Sequence, residues 1–198
     1  MLLNIDVRKY RTPDHPVEPL LVNRWSPRAM SGQPLSGDDL LRLLEAARWA
    51  PSSYNEQPWR FLYAQRGGPH WQTFFDLLVE GNQVWAKNAA VLFVVVSRTT
   101  FARNNQPNRV HTFDCGAAWQ NLALQACAMG LVAHGMVGFD HEKARQVLDV
   151  PDDHRVEAMI AVGRPGRIED LPQRLREREF PSPRKPVSEW AWEGKFRR

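Results

Sequence analysis

AAVLFVVV, residues 89–96, is the longest apolar run in the chain, and its reading decides the fold. Eight residues are far too few to cross a bilayer as a helix, which needs about 20. A short apolar run of this length reads as a buried strand. Working outward, HWQTFFDLLVEGN (70–82) looks helical on one side, and FDCGAAWQNLALQACAMGL (113–131) on the other. The second is apolar on nearly every face, so it is buried on most sides, within a domain or between subunits. Residues 99–109 between them are polar and Asn/Arg-rich, and read as a mobile loop.

Further out, LSGDDLLRLLEAARWAP carries a capping-box pattern at Ser36 and Asp39 and an apolar face of Leu40, Leu43, Leu44 and Ala47. Pro51 stops that helix. Strands are expected at 59–65, 132–138 and 157–163, with a short helix at 141–148. Alternating helices and strands imply a sheet with helices packed on it, either α/β or α+β.

The 198 residues suit one domain with a sizeable core, with an irregular lead-in at 1–22 and a basic, Pro-rich arm at 164–198. The opening residues lack the apolar core of a signal peptide, and the expected location is the cytoplasm, with no membrane partner. The arm carries 10 Lys+Arg against 6 Asp+Glu and accounts for the net charge of +4. Six interleaved acids argue against a nucleic-acid tail. In the arm, Trp190, Trp192 and Phe196 alternate, as if packed on an apolar surface of this chain or a partner. Cys115 and Cys127 fall on one helix about 18 Å apart, too far to bridge. Cys115 reads as a buried structural thiol. The six histidines form no metal-ligand spacing, so no metal is expected.

Three stretches could carry chemistry. In NRWSPRAM (23–30), Ser26 precedes a proline and is pushed toward extended backbone. Arg24, Ser26 and Arg28 then share one side, and Trp25 faces the other. Two guanidiniums and a hydroxyl suit a phosphate, although the same residues could make surface salt bridges. In GLVAHGMVGFD (130–140), Gly135 and Gly138 bracket Met136 and Val137 at a strand end. That is either a turn or a place where a flat ring meets the backbone. No GxGxxG occurs, so a Rossmann site is unsupported. In WAPSSYNEQPW (49–59), small polar groups sit between two prolines, either as an ordinary loop or as ligands.

Taken in order, R-x-S-x-R, APSSYNEQPWRF, EGNQVWAKNAAVLFVVV, QNLALQACAMGLVAHGMVGFD, VGRPG and PRKPVSE resemble the nitroreductase family of FMN-dependent oxidoreductases over nearly the whole chain. The resemblance implies an α+β fold, a sheet flanked by helices, and a C-terminal extension exchanged across a homodimer. It places Arg24 and Ser26 on the FMN phosphate, Arg28 near the flavin N1/O2 edge, and Trp25 in the same cofactor-binding segment. Pro51, Ser52, Ser53 and Asn55 would reach the other subunit's flavin. Asn82 would bond the ring edge, and Gly135, Met136, Val137 and Gly138 would run beside it. Arg184 would complete the phosphate clamp with Lys185 nearby. Asp114 stands where some members have a Gln that reaches the partner's flavin, and Val137 where some have a Glu.

The implied activity is FMN-dependent oxidation of NADH or NADPH, with electrons passed in ping-pong fashion to a nitroaromatic, quinone or similar small acceptor. The flavin would perform the chemistry, with no catalytic side chain. The alternatives are another flavin activity on this fold, such as a reductive dehalogenase or flavin-fragmenting oxygenase, or an FMN-binding protein without catalysis.

Overall fold

The computed structural model describes residues 2–197. Inside the lead-in, Pro19–Asn23 forms a short helix, α1, with proline in its first turn. α2, Gly37–Arg48, opens on the expected capping box: Ser36 Oγ accepts the Asp39 N–H at 3.0 Å and Asp39 accepts the Ser36 N–H at 3.4 Å. It ends before Pro51, and strand β1 follows at Trp59–Gln65.

The helix expected over 70–82 is two helices, α3 at Trp71–Phe75 and α4 at Glu80–Ala86. Between them the backbone turns away to pair with the segment after β3. Val79 donates to the Gly138 carbonyl at 3.1 Å, Asp140 donates to Leu77 at 2.9 Å, and Leu78 bridges Phe139. These long-range bonds replace the helical ones and satisfy the same backbone groups.

β2 spans Val91–Arg98 and is buried until its last residue. α5 spans His111–Ala128, with Gly130 in left-handed backbone (φ 69°) just beyond it. β3 is Val132–Met136, α6 His141–Val147, β4 His154–Gly163, and α7 Gln173–Arg176. β4 begins three residues earlier than expected, and β3 ends two residues earlier.

The four strands lie in the order β1-β2-β4-β3, every neighbouring pair antiparallel. Side chains on a strand alternate between faces. Accordingly Leu92, Val94 and Val96 face Phe74, Trp85 and Ala86 from α3 and α4. Val91, Phe93 and Val95 face Leu40, Leu43 and Ala47 of α2 and Cys115, Ala118 and Leu122 of α5. Each fully buried large apolar side chain contributes about 1.5–3 kcal/mol. With helices on both faces, an apolar run on β2 is what the burial demands. The architecture is α+β, as expected.

The β2–β4 register slips between Val95 and Val96, whose partners are Ala158 and Val156. Glu157 is the extra residue of that bulge. There it accepts from Ser97 Oγ at 2.5 Å and Thr112 Oγ1 at 2.9 Å. Residues 99–109 fold back on themselves: Thr100 bridges Pro107, and Ala102 donates to Glu56 Oε1 at 2.8 Å.

The arm lies on its own lead-in as far as residue 187. Phe180 stacks on Tyr10 with centroids 5.6 Å apart, and Arg11 Nε donates to the Ser182 carbonyl at 2.8 Å. Val187 donates to Asp14 Oδ2 at 3.0 Å. The aromatics beyond it are not packed on this chain's core: Trp190 is 59% exposed and Phe196 81%.

Candidate functional site

Lead-in, R-x-S-x-R segment, strand β3 and arm converge on a cavity of about 410 Å³. Arg11, Arg24, Arg28, Arg178 and Arg184 line it, with Trp25, Ser26, His134, Phe180 and Ser182. Arg24 Nη1 donates to Ser26 Oγ at 3.2 Å, so the two expected phosphate ligands already touch. The Trp25 ring turns the other way, as expected, into a small cluster with Leu2 and Val7.

Among the described residues, only Arg28 of these five pairs with a carboxylate, that of Glu179 at 3.3 Å, and Arg11, Arg24, Arg178 and Arg184 have none. Burial, then the charges of Arg184 and Arg24, push Arg11 down to about 10. Burial and Arg184 likewise hold Arg24 below the usual arginine range. Both remain cationic at neutral pH. Arg24 Nε and Trp25 Nε1 are buried and without a hydrogen-bond partner. Trp25 Nε1 belongs to the ring that turns away; the unpaired Arg24 Nε beside crowded guanidiniums is costly, and an anion with several acceptor oxygens in the pocket relieves that cost. The donor set fits a phosphate group.

Arg11 was not legible as a site residue. Its Nη1 donates to the carbonyls of Val22 and Arg24 at 2.7 and 2.8 Å, fastening the lead-in to the R-x-S-x-R segment. His134 was also missed. Its Nδ1 lies 3.0 Å from the Pro27 carbonyl, which can only accept, so Nδ1 carries the proton. Its ring packs on Trp85 at 4.7 Å, and burial pushes it down to about 4. It is therefore neutral at physiological pH and joins β3 to the phosphate-type pocket.

From His134 the backbone runs through Gly135, Met136 and Val137 to Gly138. Four residues at about 3.3 Å per residue span roughly 13 Å. At the far end Asn82 Nδ2 donates to the Gly138 carbonyl at 3.0 Å. A Cβ on Gly138 would lie 2.7 Å from Asn82 Nδ2, and one on Gly135 3.2 Å from Trp119. Val137 is 76% exposed on this edge. Asn82 is brought here only because the chain breaks between α3 and α4.

Pro51, Ser52, Ser53 and Asn55 do not line the arginine pocket of their own chain. They form a shaped loop instead. Tyr54, Asn55 and Gln57 have φ of 53°, 56° and 51°, a left-handed region that costs non-glycine residues energy. Ser52 Oγ accepts the Gln57 N–H at 3.0 Å, and buried Asp114 accepts the Ser53 N–H at 3.2 Å. Asp114 thus props this loop. Lys185 lines an adjoining cavity with Arg184 and Trp190, not the arginine pocket itself. Both cysteines are free, and burial pushes the Cys115 thiol up to about 12, which suits packing and not nucleophilic chemistry. Among the described residues no group of His, Cys, Asp and Glu could hold a metal ion, and no helix is long and apolar enough to cross a membrane.

Sheet, flanking helices and an arginine-lined pocket beside β3 define an α+β protein whose donor set suits a phosphorylated ligand. The nitroreductase family model matches residues 21–70 and 64–164, and the chain belongs to the nitroreductase family. A solved structure described as an oxidoreductase containing FMN is 47% identical, with a TM-score of 0.91 over 94% of this chain and 96% of that one. Protein DrgA of Synechocystis is 32% identical over 171 residues, covering 72% of this chain and 79% of that protein. An Archaeoglobus fulgidus protein provisionally named NADH dehydrogenase/NAD(P)H nitroreductase is 27% identical over 156 residues, covering 77% of this chain and 87% of that protein.

Proposed function

We propose that this chain is an FMN-dependent NAD(P)H oxidoreductase that reduces nitroaromatics, quinones or similar small conjugated acceptors. The observation that carries the reading is the arginine pocket with its unpaired, buried Arg24 Nε, at one end of a backbone run whose other end is open and glycine-flanked. Arg24, Ser26 and Arg184 hold the phosphate; Arg28 lies toward the ring, and the backbone of 135–138 with Asn82 receives its edge. Bound FMN supplies the two-electron chemistry that side chains lack. One open face serves reductant and acceptor in turn, so a ping-pong order needs no separate nicotinamide motif.

We further read the working unit as a cytoplasmic homodimer formed by single-domain chains. Leu41, Trp49, Tyr54 and Phe113 are 65–79% exposed on α2, the 52–57 loop and the start of α5. Large apolar groups clustered on neighbouring elements favour a protein contact. Burying that surface brings Pro51, Ser52, Ser53 and Asn55 to the partner's flavin, and exposed Trp190 and Phe196 give the arm its own grip on the partner.

The test is a visible spectrum of the purified protein after incubation with FMN, followed by anaerobic NADH or NADPH. A bound-flavin spectrum should bleach with the pyridine nucleotide and return on adding a nitroaromatic or quinone. A protein that takes up no FMN would contradict the reading. One that binds FMN but never bleaches would leave only the binding role.

A further inference from the structure

One wall of the arginine pocket rests on an acid that no motif marks. Glu179 sits in the charged run REREF (176–180), yet it is 3% exposed, with its side chain entirely covered. Its carboxylate accepts the backbone N–H of Ala29 at 2.9 Å and that of Arg28, while Oε2 lies 3.3 Å from Arg28 Nη1. A single carboxylate from the arm therefore fixes both the backbone and the guanidinium of Arg28. Phe180 and Ser182 fasten the arm beside it.

A neutral amide could keep the oxygen that accepts the Arg28 and Ala29 N–H groups at less desolvation cost, but its NH2 would face Arg28 Nη1 donor to donor and lose the third contact. The negative charge is what distinguishes Glu179 from such a residue. It is the buried carboxylate in contact with a pocket lined by five arginines. Resting on the reading of that pocket as the FMN site, we propose that Glu179 is a positioning residue: it aims Arg28 and offsets its charge, and so sets the reduction potential of bound FMN. Reduced FMN carries more negative charge than the oxidised form. A lone guanidinium favours the reduced form more than a guanidinium paired with a carboxylate does, and the difference is large where water is excluded.

The experiment compares the FMN-loaded wild type with Glu179→Gln by spectroelectrochemical titration, alongside the dissociation constant for oxidised FMN. Gln keeps the shape and one acceptor. The expected result is a raised potential, with the affinity ratio of reduced over oxidised FMN increased about tenfold, or ~30 mV for a two-electron couple. Glu179→Asp, still charged, should stay close to wild type. An unchanged potential in a Glu179→Gln protein that binds FMN would overturn the proposal, because a purely structural latch weakens both redox forms equally. If Glu179→Gln does not fold, Arg28→Gln decides: the proposal expects a lower potential, and no change refutes it. Failure of the wild type itself to bind FMN would instead remove the reading of the pocket.

Discussion

At the scale of single residues, the pocket is made by charges that would repel one another without an anion. Arg24 is the clearest case, bonded to Ser26 and left with an unpaired buried Nε. Arg24→Ala should weaken FMN binding by about 1.5–3 kcal/mol, the range for a hydrogen bond to a charged group, as read by flavin fluorescence titration. Arg24, Ser26 and Arg28 were legible because extended backbone puts alternate residues on one side. Glu179 and His134 were not, because an acid among arginines and a lone histidine on a strand give no pattern. Their roles exist only once the arm and β3 meet the same segment. His134 carries a pH prediction. With its folded value near 4 and about 6.5 unfolded, it is neutral in both states above pH 6.5. As pH falls from 6.5 toward 4, the unfolded chain takes up a proton that the folded chain refuses. Stability should fall by up to ~1.4 kcal/mol per pH unit, roughly 3 kcal/mol in all. Urea unfolding of wild type and His134→Asn, which keeps a donor for the Pro27 carbonyl, should diverge below pH 6.5, with the variant less sensitive. Parallel curves would contradict the assignment.

At the scale of elements, apolar pattern located all four strands: β1 alternates, and burial on both faces makes β2 apolar from Val91 to Val96. It missed the break between α3 and α4. Helical pattern is local, whereas the break is fixed by Val79 and Leu77 pairing with Gly138 and Asp140, about sixty residues away. It also missed α1, although Pro19 at a first helical turn was an available signal. The α3–α4 break makes Asn82 a brace for the end of β3, and the two positions should be energetically coupled. Gly138→Ala would push its new Cβ onto Asn82 and cost about 1 kcal/mol through the displaced Asn82–Gly138 hydrogen bond. Asn82→Ala should cost a similar amount, and the double variant less than the sum of the two. Additive chemical-denaturation energies would show that the brace is not formed.

At the scale of the whole molecule, the chain divides its functional groups between two places. The arginine pocket and β3 edge form one; the Pro51–Gln57 loop, propped by Asp114, forms the other. A sequence motif names both sets without saying that they are apart in one chain, since separation is a property of the assembled fold. The proposed homodimer would join them, and Phe113, 79% exposed at the first turn of α5, tests it. Phe113→Asp places an acid where a helix N-terminus favours one, so the fold should tolerate it. In sedimentation, the wild type should weigh as two chains and the variant as one chain of 22.8 kDa. A wild type already at the single-chain mass would leave the 51–57 loop without its proposed site.

The arginine pocket is proposed to hold the phosphate of a flavin through Arg24, Ser26 and Arg184. The most direct measurement of this is the affinity of the purified apoprotein for FMN against riboflavin, which shares the ring and lacks the phosphate. With at least two charge-assisted contacts at about 1.5–3 kcal/mol each, the account predicts that FMN binds roughly a hundredfold or more tightly and that the advantage shrinks with salt. Equal affinity for FMN and riboflavin would contradict it.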